Sequence, residues 1–335
     1  MADAPYRRVA VVGAGAWGTA LALVARRAGR DVVIAAREPE VVEAINRRHE
    51  NPLFLPGIAL DKAIRASGDA ADTAAASDIV LLVVPSQHLR AVASAIAGHL
   101  EPGTPVVICA KGVERGSGAL MTEVAAETIP SVPLAVLSGP TFAAEVARGQ
   151  PTAVTLAAAD AAIGARLVAT LGSATFRPYL SGDPVGAEVG GAVKNVIAIA
   201  CGIVTGRGLG DNARAALMTR GLAEIMRLGE ALGGHRETLM GLSGLGDLSL
   251  TCNGPQSRNM SLGIALGQGR TLSEALAGKR SIAEGVDNAA AISALARRKG
   301  VDMPIVNAVE AILHRGAEID ATIAALLARP FKSET

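Results

Sequence analysis

Lys194 is the side chain in this sequence best placed to move a proton. It lies in Glu188-Val-Gly190-Gly191-Ala-Val-Lys194-Asn195, a stretch with helical composition. Two adjacent glycines inside a helix cost about 1 kcal/mol each relative to alanine, so Gly190 and Gly191 signal the close approach of another segment or of a ligand. Lys194 follows Gly191 by three residues and so shares nearly the same helical face. A lysine shut in a cleft loses the water that stabilises its charge, and its pKa falls toward the range where it gives or takes a proton near neutral pH. A solvent-facing lysine is the competing reading, and the apolar residues 196–199 weigh against it.

A second constellation follows at Gly241-Leu-Ser-Gly244-Leu-Gly246-Asp247, Thr251-Cys-Asn253 and Ser257-Arg258-Asn259, just ahead of a helix expected from Met260. An arginine beside helix-start N–H groups is a receptor for a phosphate dianion. The plainer alternative is a loop leading into a capped helix, with Ser257 or Asn259 as the cap.

These groups need a scaffold, and the start of the chain supplies it. A β-branched run at 7–12 flows into Gly13-Ala-Gly15-Ala16-Trp17-Gly18 and then an alanine- and leucine-rich stretch. Strand, glycine turn and helix in that order form a dinucleotide site: the glycines allow the turn and the approach of a pyrophosphate, which meets the helix N-terminus. A second strand over 31–36 ends at Arg37, where an arginine can receive the 2′-phosphate of NADP and an acid would pair with the ribose of NAD. Arg37 therefore points to NADPH preference, while Glu38 leaves NAD use open. Further strands are expected at 79–84, 105–109, 134–137, 152–156 and 174–179, and residues 51–57 read as a loop held by two prolines. Ligands bind beyond the carboxyl ends of such strands, which is where Lys111, Gly139 and Thr141 fall. His88, in the same kind of position, is equally well read as an exposed helix-start residue.

Past residue 182 the pattern changes to helices, expected over 185–204, 212–232, 260–267, 273–277, 288–299 and 303–314, with a loop-rich stretch through Arg258. The fold class that follows is α/β: an N-terminal Rossmann-type doubly wound sheet over 1–182, then an all-α domain over 183–335, with a cleft between them. The formal charge of +1 over 335 residues, without a basic block, argues against nucleic acid and for small-molecule partners. Cys109, Cys201 and Cys252 lack the paired spacing of a zinc or redox site, so no metal is expected. An early acid, Asp3, without an apolar signal core, and a longest apolar run (196–205) too short to span a bilayer make the cytoplasm the expected compartment, without membrane insertion.

Taken in order, residues 13–18, 51–57, Lys111-Gly112, Ser138-Gly139-Pro-Thr141-Phe-Ala143, Lys194-Asn195, Gly244-Leu-Gly-Asp247 and Ser257-Arg-Asn259 resemble the bacterial NAD(P)-dependent glycerol-3-phosphate dehydrogenases, over about residues 8–325. Two departures are mild: Thr141 stands where many members have serine, and Phe54 where tyrosine is common. The resemblance implies reversible reduction of dihydroxyacetone phosphate to sn-glycerol 3-phosphate, a supply of backbone for phospholipids. Lys194 would be the general acid/base; Lys111, Asp247, Gly139 and Thr141 would hold the reacting end of the substrate, and Ser257, Arg258 and Asn259 its phosphate. Gly13, Gly15, Ala16, Trp17, Gly18, Arg37, Lys111, Ala143, Arg258, Ile282 and Glu284 would meet NADP or NAD, and a homodimer is compatible with the resemblance. A hydroxy-acid or sugar-acid dehydrogenase on the same plan, or a nucleotide sensor without turnover, remain as rivals, because fold does not choose among them.

Overall fold

The computed structural model describes residues 4–254, 256–277 and 283–330. Ten strands occur in chain order: β1 (Arg8–Val12), β2 (Asp31–Ala35), β3 (Glu50–Asn51), β4 (Leu55–Ala59), β5 (Arg65–Ser67), β6 (Ile79–Leu82), β7 (Val106–Ile108), β8 (Leu134–Ser138), β9 (Thr152–Ala158) and β10 (Phe176–Ser181). Eight form one sheet in the order β10-β9-β8-β7-β6-β1-β2-β5. Val, Ile and Leu fill both faces of its central strands, so β6 and β7 are buried along their whole length between helical layers. The strand order reverses at β1: the chain runs outward through β2 to β5 on one side and then returns to β6 on the other, which opens a crevice at the carboxyl ends.

Three features of this domain differ from the sequence reading. Residues 51–57 belong to a small antiparallel hairpin, β3 with β4, anchored by buried Asn51, whose amide donates to the Ala14 carbonyl and to Thr19 Oγ1, both at 2.8 Å. β5 is an additional edge strand, pinned by reciprocal hydrogen bonds between Asn46 and the Ala66 backbone. β9 runs antiparallel to β8 and then pairs in parallel with β10, so the far edge is mixed.

After β10, Asp183 caps the helix Pro184–Gly206, and no strand follows among the described residues. This 23-residue helix is longer than the apolar run suggested and apolar enough to cross a membrane, yet 89% of its most apolar window is buried inside the protein. It is the axis of the second domain: helices Asp211–Ala231, Arg258–Gly267, Glu284–Arg298 and Pro304–Arg315 pack around it through a core of Val, Ile, Leu and Ala. Its closest partner is Arg258–Gly267, and the contact is backbone on backbone. A β-carbon at Gly263 would strike the Ile199 carbonyl, and one at Gly267 would come within 2.5 Å of the Ile203 carbonyl; Gly202 and Gly206 face the same seam from the other side. The stretch read as loop-rich is instead helical in short pieces, Arg236–Leu239, a wide turn at Leu242–Gly246 and Asp247–Asn253, and a last helix, Ile319–Leu327, follows them all.

Candidate active site

The cluster that joins the two domains is built on one carboxylate. Asp247 begins the helix Asp247–Asn253, its side chain wholly buried, and one oxygen receives Lys194 Nζ while the other receives Lys111 Nζ at 2.6 Å. Lys194 Nζ also donates to Thr251 Oγ1 at 2.9 Å, and that hydroxyl donates onward to the Asp247 carbonyl at 2.6 Å. Lys111, just past β7, donates to the Gly139 carbonyl at 3.1 Å, just past β8. The glycine pair lets these segments meet: a β-carbon on Gly190 would lie 2.5 Å from the Ser243 carbonyl, and one on Gly191 would lie 2.8 Å from Ser138 Oγ and 3.4 Å from the stem of Lys111. The close approach is therefore to other segments of the chain.

Burial sets the chemistry. Desolvation pushes Lys194 down to about 8, with Lys111 adding in the same direction and Asp247 opposing. Such an ammonium is charged at neutral pH and weakly enough held to give up its proton. Desolvation raises the carboxyl of Glu284, the first residue of Glu284–Arg298, against the pull of Arg258, Lys111 and Lys194.

The second constellation lands beside the first. Ser257 is the cap of Arg258–Gly267, its Oγ accepting from Met260 N at 3.1 Å, which leaves the hydroxyl proton free to be donated. Asn259 lies inside the helix and donates to Asn195 Oδ1 at 2.9 Å, next to Lys194, while its own Oδ1 accepts from Gly285 N at 3.1 Å. That amide pair locks the starts of two helices onto the lysine helix. Arg258 itself is exposed, and no described side chain forms a salt bridge with it. Thr141, partly buried, donates to the Gly139 carbonyl at 3.2 Å, and Ala143 opens the helix Ala143–Ala147 beside it. Thr251 and Asn195, which fall within the sequence motifs without a role of their own there, join this neighbourhood, as does Asn288, which no sequence pattern marks.

The nucleotide end is formed as the glycine pattern requires. Gly13 has φ +113°, and its missing β-carbon leaves room for the Val83 carbonyl; Gly18 packs on Gly13 in the same way. Gly15 borders open space, and the helix Ala16–Arg27 that it begins has no side-chain cap, so its first N–H groups are available to an anion. Trp17 Nε1 is buried without a hydrogen-bond partner among the described residues, a further unmet donor at this turn. These features fit a dinucleotide. Arg37, 88% exposed and paired with Glu38 at 2.9 Å, lines a cavity of about 440 Å³ with Arg47, Asn46 and Gly68 at the end of β2. Ile282 lies outside the described residues.

A nucleotide-type sheet whose crevice meets a buried carboxylate holding one lysine from the sheet domain and one from the helical domain defines a dinucleotide-dependent dehydrogenase of the two-domain kind. Family models described as the N-terminus and C-terminus of NAD-dependent glycerol-3-phosphate dehydrogenase match residues 8–163 and 183–324. A glycerol-3-phosphate dehydrogenase [NAD(P)+] of Parvibaculum lavamentivorans is 61% identical over 98% of this chain and 99% of its own length, and that of Caulobacter vibrioides is 60% identical over 98% and 99%. The crystal structure of glycerol-3-phosphate dehydrogenase from Coxiella burnetii superimposes with a TM-score of 0.93 at 39% identity, covering 96% of this chain and 99% of that one. The chain belongs to the NAD-dependent glycerol-3-phosphate dehydrogenase family.

Proposed function

We propose that this chain catalyses the reversible NAD(P)H-dependent reduction of dihydroxyacetone phosphate to sn-glycerol 3-phosphate, supplying glycerol phosphate for phospholipid synthesis. The observation that carries the mechanism is the pairing of Lys194 and Lys111 on a single buried carboxylate at the mouth of the nucleotide crevice.

The cofactor, when bound, supplies the hydride that reaches C2 of the substrate. Gly13, Gly15, Ala16, Trp17 and Gly18 would hold its pyrophosphate end, Arg37 its adenosine ribose with NADPH preferred, and Ala143, Lys111, Arg258 and Glu284 would complete its surroundings, Ile282 lying outside the described residues. Lys194 Nζ donates its proton to the C2 oxygen in reduction and takes it back in oxidation. Lys111 adds a second cation where negative charge grows on that oxygen, which is the arrangement that lowers the barrier most. Asp247 fixes both ammonium groups, and Gly139 and Thr141 line the adjoining wall. Arg258 binds the phosphate with Ser257 and Asn259 at the helix start. Lys111, Lys194 and Arg258 against Asp247 and Glu284 leave one net positive charge, complementary to a phosphate dianion.

The division of the chain falls near residue 182, between β10 and the capped helix start. The same reading places the protein in the cytoplasm with small-molecule partners, without nucleic acid or membrane insertion, and as a homodimer. The test mixes purified protein with dihydroxyacetone phosphate and follows loss of reduced-cofactor absorbance, with NADPH and NADH in parallel. Oxidation faster with NADPH, and equalised by Arg37→Ala, is expected. Turnover with a 2-keto acid but none with dihydroxyacetone phosphate would overturn the reading.

A further inference from the structure

The site's two lysines come from different domains: Lys111 sits on a loop after β7, Lys194 on the axial helix. Asp247 joins their ammonium ends, but the spacing of their backbones needs another tie. Asn288, wholly buried on Glu284–Arg298, lies between them. Its Nδ2 donates to the carbonyl of Lys111 itself at 3.1 Å and to the carbonyl of Ala192, two residues before Lys194, at 3.3 Å. Two facing carbonyls need a double donor, and the amide NH₂ group is one.

The opposite side of the same amide is pressed just as closely. Asn288 Oδ1 is buried without a hydrogen-bond donor among the described residues and abuts Gly112, where a β-carbon would lie 2.7 Å from it and would also strike Ser86 Oγ. Segment 111–118 is docked on this helix at two more points, Arg115 with Asp287 at 3.1 Å and Arg298 with the Ser117 carbonyl at 2.8 Å, but both are nearer the surface. Asn288 alone of these contacts reaches the catalytic lysine's helix.

We propose that Asn288 is a positioning residue for the reaction: by tying the backbone of Lys111 to the backbone beside Lys194, it sets the separation of the two ammonium groups around Asp247. The proposal rests on the reductase reading above. A consequence distinguishes it from a merely structural role. The charged and titratable groups that face Lys194 are Asp247, Lys111, Glu284 and Cys252, the last with its thiol held protonated by its hydrogen bond with Cys201 and by burial. Of these, Lys111 is the cation that pushes proton off Lys194. If Lys111 drifts away when its carbonyl is released, Lys194 keeps its proton to higher pH.

The test compares wild type with Asn288→Ala, and with Asn288→Ser, which keeps one donor. In Asn288→Ala, kcat for dihydroxyacetone phosphate reduction is expected to fall at least about tenfold. NADPH affinity, read by fluorescence titration, should stay within about twofold, and the alkaline limb of the reduction profile should move up by about half a pH unit or more. Asn288→Ser should fall between, and it carries the test if the alanine variant does not fold by circular dichroism. The pH dependence of Lys194 acylation, read by peptide mass spectrometry, follows the same separation without turnover. Wild-type kcat in Asn288→Ala, or a fall in kcat with both the alkaline limb and the acylation profile unmoved, overturns the proposal. Failure of wild type to turn over dihydroxyacetone phosphate breaks the reductase reading instead, and the acylation profiles then decide the role of Asn288 alone.

Discussion

Glu188 and Lys194 lie on the same buried helix, six residues apart, and their charges are met in opposite ways. Among the described residues Glu188 has no salt-bridge partner. It accepts from Thr122 N at 2.9 Å and Thr122 Oγ1 at 2.5 Å, at the start of the helix Met121–Thr128 across the domain junction. Desolvation pushes its carboxyl up to about 7, with nearby Glu123 adding to the rise. Lys194 is desolvated as deeply but shares its one carboxylate partner, Asp247, with a second cation, Lys111. The first arrangement is complete as it stands: a carboxylate satisfied by neutral donors, holding two domains together. The second gathers two ammonium groups on one carboxylate and, on the proposed reaction, meets an anion there as well. Burial perturbs both groups, and what separates a structural charge from a catalytic one is whether the protein itself finishes the hydrogen bonding and the charge balance.

The strongest way to break this contrast is to remove the proton donor. Lys194→Ala is expected to lower kcat by about 10³-fold, within the range of a positioned acid/base group, while NADPH affinity measured by titration stays near wild type. Turnover within tenfold of wild type would make Lys194 as structural as Glu188. A smaller effect comes from pH. Reduction needs the protonated lysine, so its kcat should fall as pH rises through about 8, and oxidation, which needs the free amine, should rise over the same interval. Asp247→Asn removes the influence that holds the proton on, so its alkaline limb should move to lower pH in a rate profile; an unmoved limb would detach Asp247 from Lys194. The smallest effect is on the Glu188 side. Its raised pKa means the folded state keeps a proton that the unfolded chain releases between roughly pH 4.5 and 7, so this group's contribution to stability declines as pH rises through that window. Glu188→Gln should flatten that decline, by at most about 3 kcal/mol at pH 8, as read by urea unfolding at several pH values. An unchanged slope would show the carboxylate to be ionised throughout.

The parts of the fold legible from sequence were those with local patterns. The turn at Gly13–Gly18 and the apolar runs of β6 and β7 announce themselves because each strand is buried on both faces. The hairpin β3–β4 did not, since Pro52 and Pro56 argue for a loop and the pairing depends on Asn51 reaching back to Ala14 and Thr19. The helices between 236 and 253 were hidden by Gly241, Gly244 and Gly246; a β-carbon at Gly244 would strike the Leu239 carbonyl, so glycine there serves close packing, not a loop. In the site, Lys194 was suspected from its neighbouring glycines. The bond of Thr251 to Lys194 and any role for Asn288 are invisible in the sequence, because the partners lie 57 and 177 residues away in the chain.

The seam between Pro184–Gly206 and Arg258–Gly267 gives the enzyme its ruler. Lys194 is carried on one helix and Arg258 on the other, and beyond the Asn195–Asn259 contact the helices touch backbone to backbone at Gly202, Gly206, Gly263 and Gly267. On the proposed assignment of Lys194 to the carbonyl and Arg258 to the phosphate, the span between them is measured out by four absent methyl groups. A single alanine there would act as a shim, lengthening the gauge and changing the size of molecule that fits before any residue in contact with substrate has been altered.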